Sequence, residues 1–242
     1  MPAWYDSLAV RLNKFLQRAG IASRRRADLL IKGGHVLVNG RPVTEPWAQV
    51  DPTGDRVEVA GKEARLPAQR HYYKFYKPRG VVSTLADPHA ERTLHEFLPP
   101  GLRLFPVGRL DKDSEGLMLL TDDGDLAFRL SHPRFGVKRR YLVELDRPLT
   151  PQALKRLELG IPLADGPFRP TDVHRVGSKR VELSLHEGRK REIRRAFSSL
   201  GYRVERLVRL AFGPIELGGL LPGELAPLTK AELGRLMRKS KG

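Results

Sequence analysis

The chain has 242 residues, of which 44 are lysine or arginine and 28 are aspartate or glutamate, so its formal net charge is +16. This balance favours a polyanionic partner such as RNA or DNA. The absence of cysteine excludes disulfides, thiolate nucleophiles and cysteine-ligated metal sites. No apolar run reaches the roughly 18 residues of a membrane span and no signal peptide is recognisable, so we expect a cytoplasmic protein that binds nucleic acid and no membrane.

The first predicted unit spans residues 9–68 and consists of two short helices followed by a hairpin. Apolar residues recur at helical spacing in the first helix. Ser23 is a favourable N-cap for the second helix, on which Leu29 and Leu30 would be buried. An Asn-Gly pair at residues 39–40 then predicts a two-residue hairpin turn.

Positive charge is concentrated in this unit. Between residues 11 and 41 there are eight lysines or arginines and one acidic residue, Asp28. Such a surface can neutralise phosphates and release counterions, so we predict RNA contacts there. The residues that we expect to make them are Arg11, Lys14, Arg24, Arg25 and Arg26. Residues 64–69 are predicted to be a linker.

A larger unit over residues 70–238 mixes strands and helices without strict alternation. This pattern predicts the α+β class with a mixed, largely antiparallel sheet. Strands are predicted at residues 71–77, 81–84, 141–145, 181–185 and 203–217, the last with a break at residues 213–214. Helices are predicted at residues 93–98, 150–160, 189–200 and 229–237, and Leu126, Phe128 and Leu130 predict a further helix that ends near residues 132–133.

One acidic loop stands out in this basic chain. Residues 108–116 lie between a short apolar run and the continuous apolar run of residues 117–120, which is typical of a buried strand. The loop nearly fits a calcium-binding template, but its flanks look like strands rather than helices. No nucleophile elbow surrounds Ser114, and the side chains for a metal-dependent nuclease are missing, so we predict no metal. Asp111 remains as a carboxylate able to act as nucleophile or base.

Residues 108–124 resemble the catalytic motif of the RNA pseudouridine synthases, in the branch typified by RsuA and RluB. Three further segments agree in order: residues 76–80 with the lysine-proline motif, residues 139–141 with the basic-x-tyrosine motif, and residues 187–197 with the third motif. Residues 9–68 resemble an S4 RNA-binding domain. Lys190 and Glu192 depart from the family's common Asn and Gln, which we expect to alter local RNA contacts only.

The resemblance implies a role for each matching residue. Asp111 corresponds to the catalytic aspartate, and Tyr141 to the tyrosine that stacks on the target uracil. Arg194 corresponds to the basic residue that pairs with the aspartate, and Leu207 to an apolar residue of the uracil pocket. Arg109 would contact RNA while the target base is flipped out of its stack. Further RNA contacts are expected at Lys77, Arg139 and Arg191.

The family isomerises uridine in RNA to pseudouridine without a cofactor. The resemblance is nearest to members that act on large-subunit 23S ribosomal RNA, although the 16S enzymes share the same motifs. The substrate could be free ribosomal RNA or a ribosome assembly intermediate, and we expect a monomer. A second possibility is a non-catalytic S4-type ribosome assembly factor that has kept the fold. The sequence leaves open which uridine is modified and which atom the aspartate attacks.

Overall fold

The computed structural model describes residues 9–67 and 69–239, and the chain divides into two units between Arg70 and His71. Each unit has its own hydrophobic core. Within the described ranges, no helix is both long and apolar enough to cross a bilayer.

The first unit combines two helices with short antiparallel strands. Its elements in chain order are β1 (Val10–Arg11), α1 (Leu12–Arg18), α2 (Arg24–Lys32), β2 (Val36–Val38), β3 (Arg41–Pro42), β4 (Gln49–Val50), β5 (Val57–Val59) and β6 (Lys62–Glu63). Strands β3, β2, β5 and β6 form one sheet in that order, and β1 pairs with β4.

Local sequence explains most of this unit. The Ser23 hydroxyl accepts a hydrogen bond from the Arg26 N–H and caps α2, as predicted. Asn39 and Gly40 both have positive φ, which the tight turn between β2 and β3 requires. The predicted burial of Leu29 is wrong, because α2 turns Ala27 and Ile31 into the core and leaves Leu29 61% exposed.

The predicted linker also begins later than the sequence indicated. Ala64 is buried in the core of the first unit, and its N–H donates to the carbonyl of Val57. Ala68, the last residue of the predicted first unit, lies outside the described residues.

The second unit is built on a nine-stranded sheet with helices on both faces. Its elements in chain order are β7 (Tyr72–Lys77), β8 (Phe105–Pro106), β9 (Glu115–Thr121), α3 (Gly124–Ser131), β10 (Arg139–Leu145), α4 (Pro151–Leu159), β11 (Thr171–Arg175), β12 (Arg180–Leu185), α5 (Glu192–Ser199), β13 (Val204–Phe212), β14 (Ile215–Glu216), β15 (Leu225–Pro227) and α6 (Lys230–Lys239). The α+β class with a mixed, largely antiparallel sheet is confirmed.

The sheet order places β9, the strand that follows the acidic loop, between β13 and β7. The order is β11-β12-β10-β13-β9-β7-β15, with β8 on β9 and β14 on β13. Every described pair is antiparallel except β9 with β13, which run parallel. Helices α4 and α5 cover one face, and α3 and α6 cover the other. All seven residues of β9 are buried, as expected for a central strand with helices on both sides.

Two predicted elements of this unit differ from the structure. Residues 81–84 form an irregular loop with a single bridge from Val82 to Thr93 instead of a strand. The helix predicted at residues 189–200 begins at Glu192, because Arg191 adopts a left-handed conformation with φ of 51°. Both departures lie where the chain approaches Asp111.

Candidate active site

Asp111 lies in the wall of an open cavity of about 640 Å³ in the second unit. The cavity brings together segments that are far apart in sequence: the loop after β7, the acidic loop before β9, the ends of β10 and β12, and the start of α5. Its lining includes Asp111, Arg109, Tyr141 and Leu207, which are four of the five residues predicted for catalysis and substrate binding. The fifth, Arg194, is not part of the lining. A cavity of this size can hold a nucleotide-sized group.

The backbone on both sides of Asp111 is fixed by the loop that follows β7. The buried hydroxyl of Ser83 accepts a hydrogen bond from the Leu110 N–H at 3.0 Å and donates to the Leu110 carbonyl at 2.5 Å. On the other side, the Gly80 N–H donates to the carbonyl of Lys112 at 2.7 Å. Ser83 was not predicted as a site residue, because its role depends on a contact across 27 positions of sequence.

Lys77 is an internal support of the same loop and not the exposed RNA contact that the sequence predicted. Its side chain is fully buried, and its Nζ donates to the carbonyls of Pro78 and Val81 at 2.9 and 2.7 Å. Burial, reinforced by the charge of Arg209, lowers the pKa of Lys77 to about 8 from its usual 10.5. RNA cannot reach this amine without opening the core.

This lowered pKa predicts a pH dependence of stability. Between about pH 8 and 10.5 the unfolded chain binds more protons at Lys77 than the folded chain, so wild-type stability should rise with pH. Measured against Lys77→Met by urea unfolding, the free energy of unfolding should gain on the order of 3 kcal/mol across that window. A difference that stays flat or falls with pH would contradict the assignment.

Two arginines predicted to serve the site converge on Asp113. Arg191 binds its carboxylate through two hydrogen bonds of 2.9 and 2.8 Å, and the Arg194 Nε lies 3.3 Å from Oδ2. Arg194 also donates to the backbone carbonyls of Asp113 and Val204, both at 2.8 Å. The predicted pairing of Arg194 with Asp111 is therefore wrong for direct contact, although the charge of Asp111 acts on Arg191 and Arg194 at longer range.

Burial and the neighbouring positive charges have opposite effects on the pKa of Asp113. Burial opposes the charged carboxylate, but the hydrogen bond from Arg191 and the charges of Arg194 and Arg191 outweigh it, so the pKa of Asp113 lies below its ordinary value. For Arg194, burial dominates and lowers its pKa. The two arginines anchor α5 to the acidic loop and keep positive charge beside Asp111.

Tyr141 lies beside a buried arginine of the neighbouring strand. It faces Arg209 across the β10–β13 pair, next to a register shift in β10. Arg209 is 1% exposed, lines the cavity and donates to the Leu117 carbonyl at 2.6 Å. Burial lowers the pKa of Arg209. Arg209 was not predicted as a site residue, because an arginine in an apolar strand normally faces solvent.

Arg139 and Arg209 lie over the same aromatic ring. Both guanidinium groups lie 5.1 Å from the ring centroid of Phe212. Arg139 was predicted to contact RNA, but its side chain is only 8% exposed. It lines the cavity, so it can contact only RNA that enters the cavity. Arg191, in contrast, is partly exposed although it pairs with Asp113.

The arrangement offers a carboxylate, an aromatic ring and several cations around one space. Such a site can hold a flat polar ring against Tyr141 and Leu207 while Asp111 acts as a nucleophile or base. In the described residues no three His, Cys, Asp or Glu side chains lie together in a way that could hold a metal ion.

In the first unit, the arginines predicted to bind RNA lie on an exposed surface. Arg24, Arg25 and Arg26 form the first turn of α2 and are exposed, and Arg11 is exposed just before α1. Lys14 lies within α1 and is half-buried.

Comparison with known proteins gives consistent matches for both units. A sequence profile described as RNA pseudouridylate synthase matches residues 71–199, and an S4 domain profile matches residues 10–68. A protein of Aquifex aeolicus described as an uncharacterized RNA pseudouridine synthase is 40% identical over 96% of this chain and 95% of its own. Ribosomal large subunit pseudouridine synthase B of Bacillus subtilis is 38% identical, with 93% of this chain and 95% of that protein covered.

A solved structure is also similar over almost the whole chain. It is described as the crystal structure of a pseudouridylate synthase, and it superimposes with a TM-score of 0.68 at 30% sequence identity. The match covers 94% of this chain and 99% of that structure.

Proposed function

The chain belongs to the RNA pseudouridine synthase family and carries an S4 domain, and from that premise we propose that it converts one uridine of 23S ribosomal RNA to pseudouridine. The observation that carries this proposal is the placement of Asp111, Tyr141 and Leu207 around one cavity. The name of the Bacillus subtilis relative supports a large-subunit substrate.

The reaction is an isomerisation that leaves the overall composition of the RNA unchanged. The N1–C1′ bond of the uridine breaks, the base turns, and a C5–C1′ bond forms while the C5 hydrogen leaves to solvent and N1 takes a proton. The target must first leave its base stack, which costs a few kcal/mol. Arg109 is exposed at the cavity wall, where it can contact the displaced strand. Asp111 acts on the ribose or the base, and Tyr141 holds the detached uracil.

The two units divide this work. Residues 9–68 bind structured RNA through their basic helices, and residues 70–238 carry the chemistry. The protein acts as a monomer on ribosomal RNA or on an assembly intermediate.

Tritium release from RNA labelled at uridine C5 tests the proposal. The wild-type chain should release tritium from a full-length 23S transcript and not from a 16S transcript. Tritium release from the 16S transcript alone would show that the substrate is small-subunit ribosomal RNA. No release from either transcript or from assembly intermediates, with RNA binding intact, would favour the non-catalytic assembly factor.

Ser83 should control catalytic rate rather than substrate binding. Ser83→Ala removes both hydrogen bonds to Leu110 and loosens the backbone that positions Asp111. Because small misplacements of a reacting group are costly, we expect kcat to fall by roughly 10- to 100-fold with KM nearly unchanged. Tritium release at varied RNA concentration measures both constants.

Thr84→Ala is the matched control for this variant. The Thr84 hydroxyl lies in the same loop but donates to the Ala86 carbonyl and not to the Asp111 segment. Its kcat should stay within about twofold of wild type. Equal losses in the two variants, or a Ser83→Ala effect confined to KM, would overturn the positioning role.

The exposed arginines of α2 should account for part of the affinity for structured RNA. Replacing Arg24, Arg25 and Arg26 by glutamine removes up to three phosphate contacts, so we expect at least about tenfold weaker binding near 0.15 M salt and a smaller salt slope. Filter binding to 23S RNA at several salt concentrations measures this.

A second triple variant, Arg56→Gln, Lys62→Gln and Arg65→Gln, changes the net charge equally. Arg56 and Arg65 already pair with Glu58 and Glu63 in the same unit. If this control weakens RNA binding as much as the α2 variant does, the loss of affinity results from the lower net charge. The α2 surface would then not be the RNA-binding face.

A further inference from the structure

An exposed aromatic cluster follows the acidic loop at the end of α3. The rings of Phe128, His132 and Phe135 lie with centroids 5.0 to 6.4 Å apart, in tilted or edge-to-face arrangements. Phe128 is 46% exposed, and His132 is exposed as well. We call these three residues, together with Arg134, the Phe128 cluster.

Arg134 holds a planar cation against this ring surface. Its guanidinium carbon lies 5.1 Å from the Phe128 centroid and 4.5 Å from the Phe135 centroid. The backbone N–H of Arg134 donates to Nδ1 of His132 at 3.2 Å, which fixes the short turn that carries it. The cluster is therefore an ordered surface with a flat apolar part and a positive edge.

The cluster adjoins the cavity that contains Asp111. Ser131 and Pro133, which lie between the cluster residues in sequence, both line that cavity. A strand of RNA whose target nucleotide enters the cavity must pass its neighbouring nucleotides over the surrounding rim. The Phe128 cluster does not line the cavity itself, but its His132 is the direct chain neighbour of Ser131 and Pro133, which do.

The charge of the segment suits a phosphate backbone. Residues 128–140 contain five lysines or arginines and no acidic residue. Lys138 pairs with Asp172, and Arg140 pairs with Glu182 and Glu216. Arg134 makes no ion pair with any described residue, so its charge is available to a ligand.

We propose that the Phe128 cluster is a stacking platform for an unpaired nucleobase next to the target uridine, with Arg134 binding the adjacent phosphate. The proposal rests on the proposed function, since it takes RNA as the substrate. Exposed aromatic rings beside cations are the combination with which proteins bind unpaired bases, because every base has a π face that stacks. An apolar protein partner would not make use of the cation at the edge.

Binding to short RNA probes tests the platform without requiring turnover. The full chain is titrated with decauridylate and with an abasic ribose-phosphate decamer, which has the same backbone charge and no bases. Phe128→Leu should weaken decauridylate binding by about fivefold or more and change abasic binding by less than twofold. Phe128→Trp should bind decauridylate as well as wild type. Leu159→Ala removes a side chain that is 77% exposed on α4 and should change neither affinity.

A second measurement locates the contact directly. Irradiation of a bound decamer containing 4-thiouridine should cross-link the peptide that contains residues 128–135, and Phe128→Leu should reduce that product. Unchanged decauridylate binding in Phe128→Leu, equal losses for both probes, or no cross-link to this peptide would overturn the platform. A wild-type dimer that Phe128→Leu dissociates would instead assign the cluster to a second copy of the chain. Failure of tritium release with base-dependent binding retained would contradict the proposed function and leave the platform in place.

Discussion

Asp111→Asn should abolish tritium release from 23S RNA, with a loss of at least about 10³-fold, because the amide cannot act as nucleophile or base. The substitution keeps the size and shape of the side chain. The hydrogen bonds that hold this segment come from the backbone of Leu110 and Lys112, so they remain. We therefore expect an unchanged melting temperature and unchanged RNA binding. If Asp111→Asn retains a tenth of wild-type activity, Asp111 is not the nucleophile or base of the reaction.

Asp113→Asn is the informative comparison for this prediction. Its carboxylate binds Arg191 and Arg194 instead of facing the reaction, so its loss should lower the melting temperature and leave measurable turnover. The two variants should thus show opposite patterns in activity and stability. If Asp113→Asn is inactive and Asp111→Asn is active, the two roles are reversed.

Gly116→Ala should destabilise the second unit by more than about 3 kcal/mol, because strain and overlap act at the same position. Gly116 has a φ of 103°, a conformation that favours glycine. A Cβ there would lie 2.5 Å from the carbonyl oxygen and 2.6 Å from the amide nitrogen of Arg209. Both atoms are backbone in the neighbouring central strand, so no side-chain rotation relieves the overlap. Urea unfolding measures the loss.

Gly218→Ala separates strain from overlap. Gly218 also has positive φ, at 61°, but a Cβ there meets nothing within 4 Å. Its cost should be about 1 kcal/mol, the ordinary penalty of a left-handed alanine. If Gly116→Ala is insoluble and Gly218→Ala is soluble, the prediction is also supported, because the first variant is then too unstable to fold. Losses within about 1 kcal/mol of each other would show that β9 and β13 can separate to admit a methyl group.

The close approach at Gly116 also affects the site. It allows β9 and β13 to run parallel over Glu115 and Gly116, which brings Arg209 beside the start of β9. Asp111 lies just before that start, so a wider separation would move the aspartate relative to Leu207. We therefore expect soluble Gly116→Ala to lose activity as well as stability.

The sequence alone determined the features that depend on neighbouring residues. The cap at Ser23 occurs as predicted, because a cap needs only a side chain within three residues of an N–H. Asp123 and Thr150 cap α3 and α4 in the same local way, and Thr229 and Glu232 form a capping box at the start of α6. The buried strand after the acidic loop also follows from its apolar run. The α+β class and the family could also be predicted, because both follow from local motifs and their order along the chain.

Only the tertiary structure decided which polar groups meet across long separations. Lys77 looked like a surface cation beside a proline, but the burial of β7 turned its amine inward to backbone carbonyls. Arg194 meets Asp113 rather than Asp111, because α5 begins late, after the left-handed Arg191. Ser83 and Arg209 became site residues through loops and strand pairs that no local pattern records. Side-chain direction at such places is set by packing between distant segments, and local sequence carries no information on that packing.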